Sequence, residues 1–118
     1  MRNQVITLPP SRTLAGFASE QGCDDGLAME SLEPGTMLIV RTDNSEYRMV
    51  ALDHDRVLVE GGAMFPEPVP AVVQGASAGG SFVKTGWIGV GLSIELFVDP
   101  KWVRTSSVRS IHLLSPRP

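Results

Sequence analysis

From Glu33 onward, turn-forming residues interrupt this chain so often that no long helix fits between them. Glu33-Pro34-Gly35, Asp43-Asn44-Ser45, Asp53-His54-Asp55-Arg56, Gly61-Gly62, Ser77-Ala78-Gly79-Gly80 and Asp99-Pro100 all carry residues that favour tight turns or break a ladder. The first runs left between them, 36–42, 46–52 and 57–60, have the length of strands, and the longer ones are cut again by Pro66, Pro68 and Pro70 and by Gly86, Gly89 and Gly91. Thr36 to Thr42 (TMLIVRT) is β-branched and apolar. In Glu46 to Leu52, Tyr47, Met49 and Ala51 alternate with Arg48, Val50 and Leu52, so the two runs form a hairpin about Asp43-Asn44-Ser45. Val57 to Glu60 is a third short strand. Leu92, Ile94, Leu96 and Val98 alternate with Ser93, Glu95 and Phe97, which predicts one buried face and one mostly wet face. Trp102 to Thr105 and Val108 to Leu114 complete the series.

These runs predict an all-β domain of about six or seven short strands over residues 31–115, a small antiparallel barrel or a compact sandwich. Gly86, Gly89 and Gly91 within one strand run predict a bulge or sharp coiling there. Phe65 to Pro70 (FPEPVP) has a proline at every second position. It reads as an extended connection or an edge, because proline cannot donate to a ladder. It also has the composition of a polyproline II docking segment. Residues 1–22 show neither period and carry Pro9, Pro10, Gly16 and Gly22, which predicts an N-terminal arm over residues 1–30 that is loose or has a short helix near its end. Asp24 or Asp25 could cap a short helix through Leu32 near its end.

With 118 residues there is room for one domain with a real core. No run approaches the length of a membrane-crossing helix, and Pro9-Pro10 stand where a secretory signal would be apolar, so the expected location is the cytoplasm. The single cysteine, Cys23, excludes an internal disulfide. The net charge of −3 argues against nucleic acid as the main partner. The charge is nevertheless uneven: Lys101, Arg104, Arg109 and Arg117 share residues 101–118 with no acid. Trp102, between Lys101 and Arg104, is the best local match to a nucleic-acid stacking site, with Trp87 a second aromatic. That use predicts a steep salt dependence carried by Lys101, Arg104 and Arg109.

No complete catalytic or metal-binding set is written in the chain. Asp53-His54-Asp55 offers half a metal site, and His112 is the other imidazole. The plainer reading is a hairpin turn whose carboxylates bond to nearby backbone amides. Gly79 to Thr85 (GGSFVKT) imitates a phosphate loop but has Val83 where glycine must precede the lysine. Ser81 and Lys84 have the spacing of a penicillin-recognising pair, but on a strand that spacing puts them on opposite faces. Neither a cofactor nor a metal is expected.

Four stretches together resemble a family of small bacterial all-β proteins with no activity attached to it. They are TDNSEYRMVALD (42–53), VEGGAMFPEP (59–68), GWIGVGLSIEL (86–96) and VRTSSVRSIHLL (103–114). The shared pattern falls on Asn44, Ser45 and Tyr47; on Gly61, Gly62, Phe65, Pro66 and Pro68; on Gly86, Ile88 and Gly91; and on Thr105, Ser106, Val108 and Ile111. The resemblance spans residues 31–114 and implies a compact all-β fold. The functional expectation is a non-enzymatic binding or interaction module, with self-association among its forms. Its candidate contact residues are Asn44, Ser45, Tyr47, Thr105 and Ser106, at turns and strand ends. The alternative is a small-molecule or catalytic site in a barrel mouth, lined by Tyr47, His54, Trp87 or His112.

Overall fold

The computed structural model describes residues 21–23, 26–79 and 82–114. Eleven strands appear among them: β1 (Gln21–Cys23), β2 (Gly26–Ala28), β3 (Met37–Thr42), β4 (Glu46–Asp53), β5 (Arg56–Gly61), β6 (Phe65–Ser77), β7 (Val83–Thr85), β8 (Trp87–Gly89), β9 (Ser93–Val98), β10 (Lys101–Arg104) and β11 (Val108–Leu114). Every pairing is antiparallel. The main sheet runs β1-β11-β3-β4-β5-β6-β9-β10, with β7 added beside β6, while β2 and β8 form a separate pair. The only helical element described is one 3₁₀ turn, Met29–Ser31. The all-β reading stands, with more strands than the turn signals marked, four of them only three residues long.

The main sheet is not closed into a barrel, yet it is strongly curled. β9 and β11 lie five places apart in the order, which in a flat sheet would separate them by about 24 Å. Instead Gly91 N–H donates to Val108 C=O at 2.7 Å and Val108 N–H to Leu92 C=O at 2.9 Å. Curling encloses a core of Leu38, Val40, Met49, Val57, Val59, Val73, Ile88, Ile94, Leu96 and Ile111, all essentially inaccessible. Tyr47, Met49 and Ala51 point inward as their alternation requires, and Arg48 is exposed.

Three sequence expectations need correction. First, of the two readings of Phe65 to Pro70 the connection gives way to the edge: the segment opens the longest strand, with a neighbour on one side only among the described residues. It pairs with β5 from Phe65, and β9 joins the other side only from Val72. Pro66, Pro68 and Pro70 all lack an N–H, and in a strand alternate residues direct that group to the same side. The β5 ladder therefore uses the intervening amides, and the prolines blunt the unpaired side. Second, the outer face of β9 is not wet: Ser93 and Glu95 are buried as well as Ile94 and Leu96. Third, Gly26–Ala28 pairs with β8 where a helix was expected, and the proposed caps Asp24 and Asp25 lie outside the described residues. Of the expected arm, residues 21–23 pair with β11, and residues 1–20 lie outside the description. Among the described residues no helix is long and apolar enough to cross a membrane.

Candidate functional site

The β3–β4 hairpin tip rests on the link between β10 and β11, which brings together residues more than sixty positions apart. The Thr42 hydroxyl is the hub. It donates to Ser45 C=O at 3.1 Å and accepts Ser45 N–H at 3.1 Å and the Ser106 hydroxyl at 2.8 Å. The Ser106 hydroxyl in turn accepts Asn44 N–H at 3.2 Å, and Asp43 N–H donates to Ser107 C=O at 3.0 Å. Asp43 also faces Arg109 at 3.3 Å, and Arg41 faces Glu46 at 2.9 Å. Both ion pairs are well exposed, so each stabilises the tip only slightly.

Thr105 performs a different task. Its N–H donates to Ile94 C=O at 3.0 Å, as in an ordinary ladder. Ile94 N–H returns not to the Thr105 carbonyl but to its hydroxyl, at 2.9 Å. That hydroxyl donates onward to Ser106 C=O at 2.7 Å. A side chain thus takes the place of a main-chain acceptor where β10 bends away toward β11. Thr105→Val strands a buried N–H and is expected to lower stability by about 2 kcal/mol, read by urea unfolding. Ser106→Ala is expected to cost about 1 kcal/mol, and Asn44→Ala less than about 0.5 kcal/mol, because Asn44 enters through its main chain.

Tyr47 is buried, with its ring edge-on to Phe65 at 6.2 Å between centroids. Gly61 and Gly62 pass over it in positive-φ conformations. A Cβ on Gly62 would lie 3.1 Å from the Tyr47 ring and 3.2 Å from the Ser45 hydroxyl. The five residues expected to form a contact surface therefore divide. Tyr47 and Thr105 are interior, Ser45 and Ser106 are half-buried and joined through Thr42, and Asn44 alone is exposed. The stretches 42–53, 59–68, 86–96 and 103–114 meet along this side of the sheet through Tyr47–Phe65, Thr42–Ser106 and Ile94–Thr105.

The residues expected around a small-molecule site do not converge. Tyr47 and His54 stand at opposite ends of β4, about 23 Å apart along an extended strand. His54 is an exposed turn residue at φ 47°. Trp87 lies in the second sheet with the Lys84 ammonium 3.8 Å from its ring centre. Lys84 itself is on β7, and among the described residues no helix follows it to form a phosphate cradle. Among the described residues no group of three or more His, Cys, Asp or Glu side chains is placed to hold a metal ion.

Sequence reasoning missed the polar cluster and aromatic pair on the outer face of β9–β10. Glu95 is buried, and its Oε2 accepts both the Ser77 hydroxyl at 2.5 Å and Arg104 Nε–H at 2.7 Å. Burial alone would raise its pKa, but the bonds from Ser77 and Arg104 and the Arg104 charge outweigh it, leaving the carboxyl below its ordinary value. One step along the ladder, Trp102 is opposite Phe97 with ring centres 5.0 Å apart. Trp102 is 65% exposed, more than any other large apolar side chain described. It lies on β10, which among the described residues pairs with β9 alone and ends the sheet order. The alternation of β9 carried the hint, since Glu95 and Phe97 share the face opposite the core. The register that aligns them with Arg104 and Trp102 was needed to see it. Comparison with family models, curated proteins and solved structures finds no match to this chain.

Proposed function

We propose that this chain is a non-enzymatic interaction module that receives its partner on the outer face and open edge of β9–β10. The exposed indole of Trp102 carries this reading. A tryptophan mostly in water on a terminal strand, backed by a second ring, is the type of anchor that dominates binding energy at interfaces. Covering the remainder of that ring would stabilise a complex by about 2 to 3 kcal/mol. The hydroxyls and carboxylate that chemistry would need support the same reading: Thr42, Thr105, Ser106, Ser77 and Glu95 are all engaged in holding strands together. Asn44, exposed at the hairpin tip held by Ser106, stands beside the chain's exit from β10 and would border the same surface.

A photo-reactive phenylalanine analogue placed at position 102 in the producing cell tests this. The expected result is a discrete adduct from position 102 and none from exposed Arg41 on β3. An equal smear from both positions, or no adduct from either, contradicts it.

A further inference from the structure

The ladder between β9 and β10 fixes which main-chain groups of β10 are used. Thr105 N–H bonds to Ile94 C=O, so Thr105 belongs to a hydrogen-bonded pair. Antiparallel ladders alternate. Val103 and Lys101, opposite Leu96 and Val98, therefore turn their N–H and C=O groups toward β9. Trp102 and Arg104 turn theirs away from it. The two residues whose side chains lie on the outer face of β9–β10 are thus also the two with main-chain donors and acceptors on the open side. Such an edge is a template for one more strand.

Charge selects what that strand is. A second copy of β10 laid antiparallel can set outward residues only against outward residues: Trp102 opposite Trp102 makes the two Lys101 diagonal neighbours, and Trp102 opposite Arg104 does the same for the two Arg104, a like-charge contact in either register that opposes association. A nucleic acid would use the same cations, but it would leave the Trp102 and Arg104 amides and carbonyls without ladder partners. We infer that β10 binds an extended acidic segment of another protein by strand addition, the partner's main chain bonding to Trp102 and Arg104 and its carboxylates facing Lys101 and Arg104. This rests on the interaction-module reading and gives it a partner class. Read antiparallel against Arg104, Val103, Trp102 and Lys101, the partner's pattern is acid, apolar, aromatic, acid. Its first and third residues donate their amides to the edge.

The test uses the full chain and a fluorescein-labelled peptide, Glu-Val-Phe-Glu with Gly-Ser flanks, followed by fluorescence anisotropy. Saturable binding is expected. It should weaken at least tenfold when the Phe amide is methylated, when both Glu are changed to Lys, and in Trp102→Ala or Lys101→Glu. Both substituted residues are exposed, and an unchanged melting temperature shows the fold intact. Equal binding of the Lys peptide overturns the acidic partner class while the module reading stands. Equal binding of the methylated peptide overturns strand addition. Failure of every peptide, with position 102 still giving a discrete cross-linked adduct, overturns strand addition and leaves the module. Failure of every peptide with salt-sensitive binding of a single-stranded oligonucleotide, lost in Trp102→Ala, overturns both in favour of nucleic acid.

Discussion

Replacing Glu95 with alanine is expected to lower the stability of the fold by about 3 kcal/mol. Most of that comes from the buried side of the cluster. Ser77 is fully inaccessible and gives its hydroxyl to Glu95, and a hydrogen bond to a charged acceptor contributes about 1.5 to 3 kcal/mol. The Arg104 half contributes less than its 2.7 Å separation suggests, because half of the Arg104 side chain is in water and the pair is screened. Glu95→Gln keeps an acceptor for Ser77 and should lose roughly half as much. The two variants also differ from the parent in their response to acid. The carboxyl titrates below the ordinary glutamate value of 4.5 in the folded chain, so the unfolded chain takes up its proton first as pH falls. The contribution is complete at neutral pH and is lost as pH drops below 4.5 through the lowered folded value. Urea midpoints at pH 7 and pH 3 should therefore show the parent and Glu95→Gln drawing together in acid. A gap that stays constant between the two pH values would contradict the assigned bonds.

Gly75→Ala is expected to cost about 3 kcal/mol or more, and to do so by a different route. Gly75 lies where β6 is gripped on both sides, opposite Thr85 of β7 and Glu95 of β9. Its φ is +153°, and a Cβ there would come 2.2 Å from the Lys84 carbonyl oxygen, a backbone atom that cannot swing aside. The methyl group therefore meets both dihedral strain and a collision, and relief requires β7 to separate from β6. Gly91→Ala is the matching control. It has φ +89° but nothing within 4 Å of the added carbon, so strain acts alone and the expected loss is about 1 kcal/mol. Thermal unfolding of the two variants side by side measures the difference. Equal losses would mean that β7 does not pack on Gly75 as described.

The fold was legible where side-chain period and turn chemistry agreed. β3 and β4 could be read with their register because Asp43-Asn44-Ser45 separates two runs whose alternation fixes the buried face. β10 and β11 followed from the Asp99-Pro100 turn and the runs Trp102 to Thr105 and Val108 to Leu114. Legibility failed where one signal has two structural meanings. Prolines at 66, 68 and 70 left a connection and an edge equally open, and the edge holds because their two-residue spacing puts every missing donor on one side, which a strand with a single neighbour there tolerates. Ser93 and Glu95 looked solvent-facing because polar residues on alternate positions usually are. Ser77 and Arg104, 18 and 9 residues away in sequence from Glu95, supply the partners that allow its burial. The short helix expected at 24–32 failed for a similar reason, since β8 supplies Gly26–Ala28 with a strand partner some sixty residues on.

The candidate site was legible only in part. The stretches holding Asn44, Ser45 and Tyr47 and holding Thr105, Ser106 and Val108 were singled out separately, and the structure joins them through Thr42 and Ser106, a pairing that no local period encodes. Trp102 was noticed as an aromatic among cations. Its opening to solvent and the outward amides of its strand depend on β10 being last in the sheet order, which is a property of topology.

Amide hydrogen exchange along β10 in the free chain tests the open edge most directly. The Val103 and Thr105 amides, bonded to β9, should exchange slowly, and the Trp102 and Arg104 amides at close to the rate of an unstructured peptide. Adding the acidic peptide should slow those last two and leave Val103 as it was. Slow exchange at Trp102 and Arg104 before any peptide is added would mean that the edge is already covered, and would contradict a docking strand at β10.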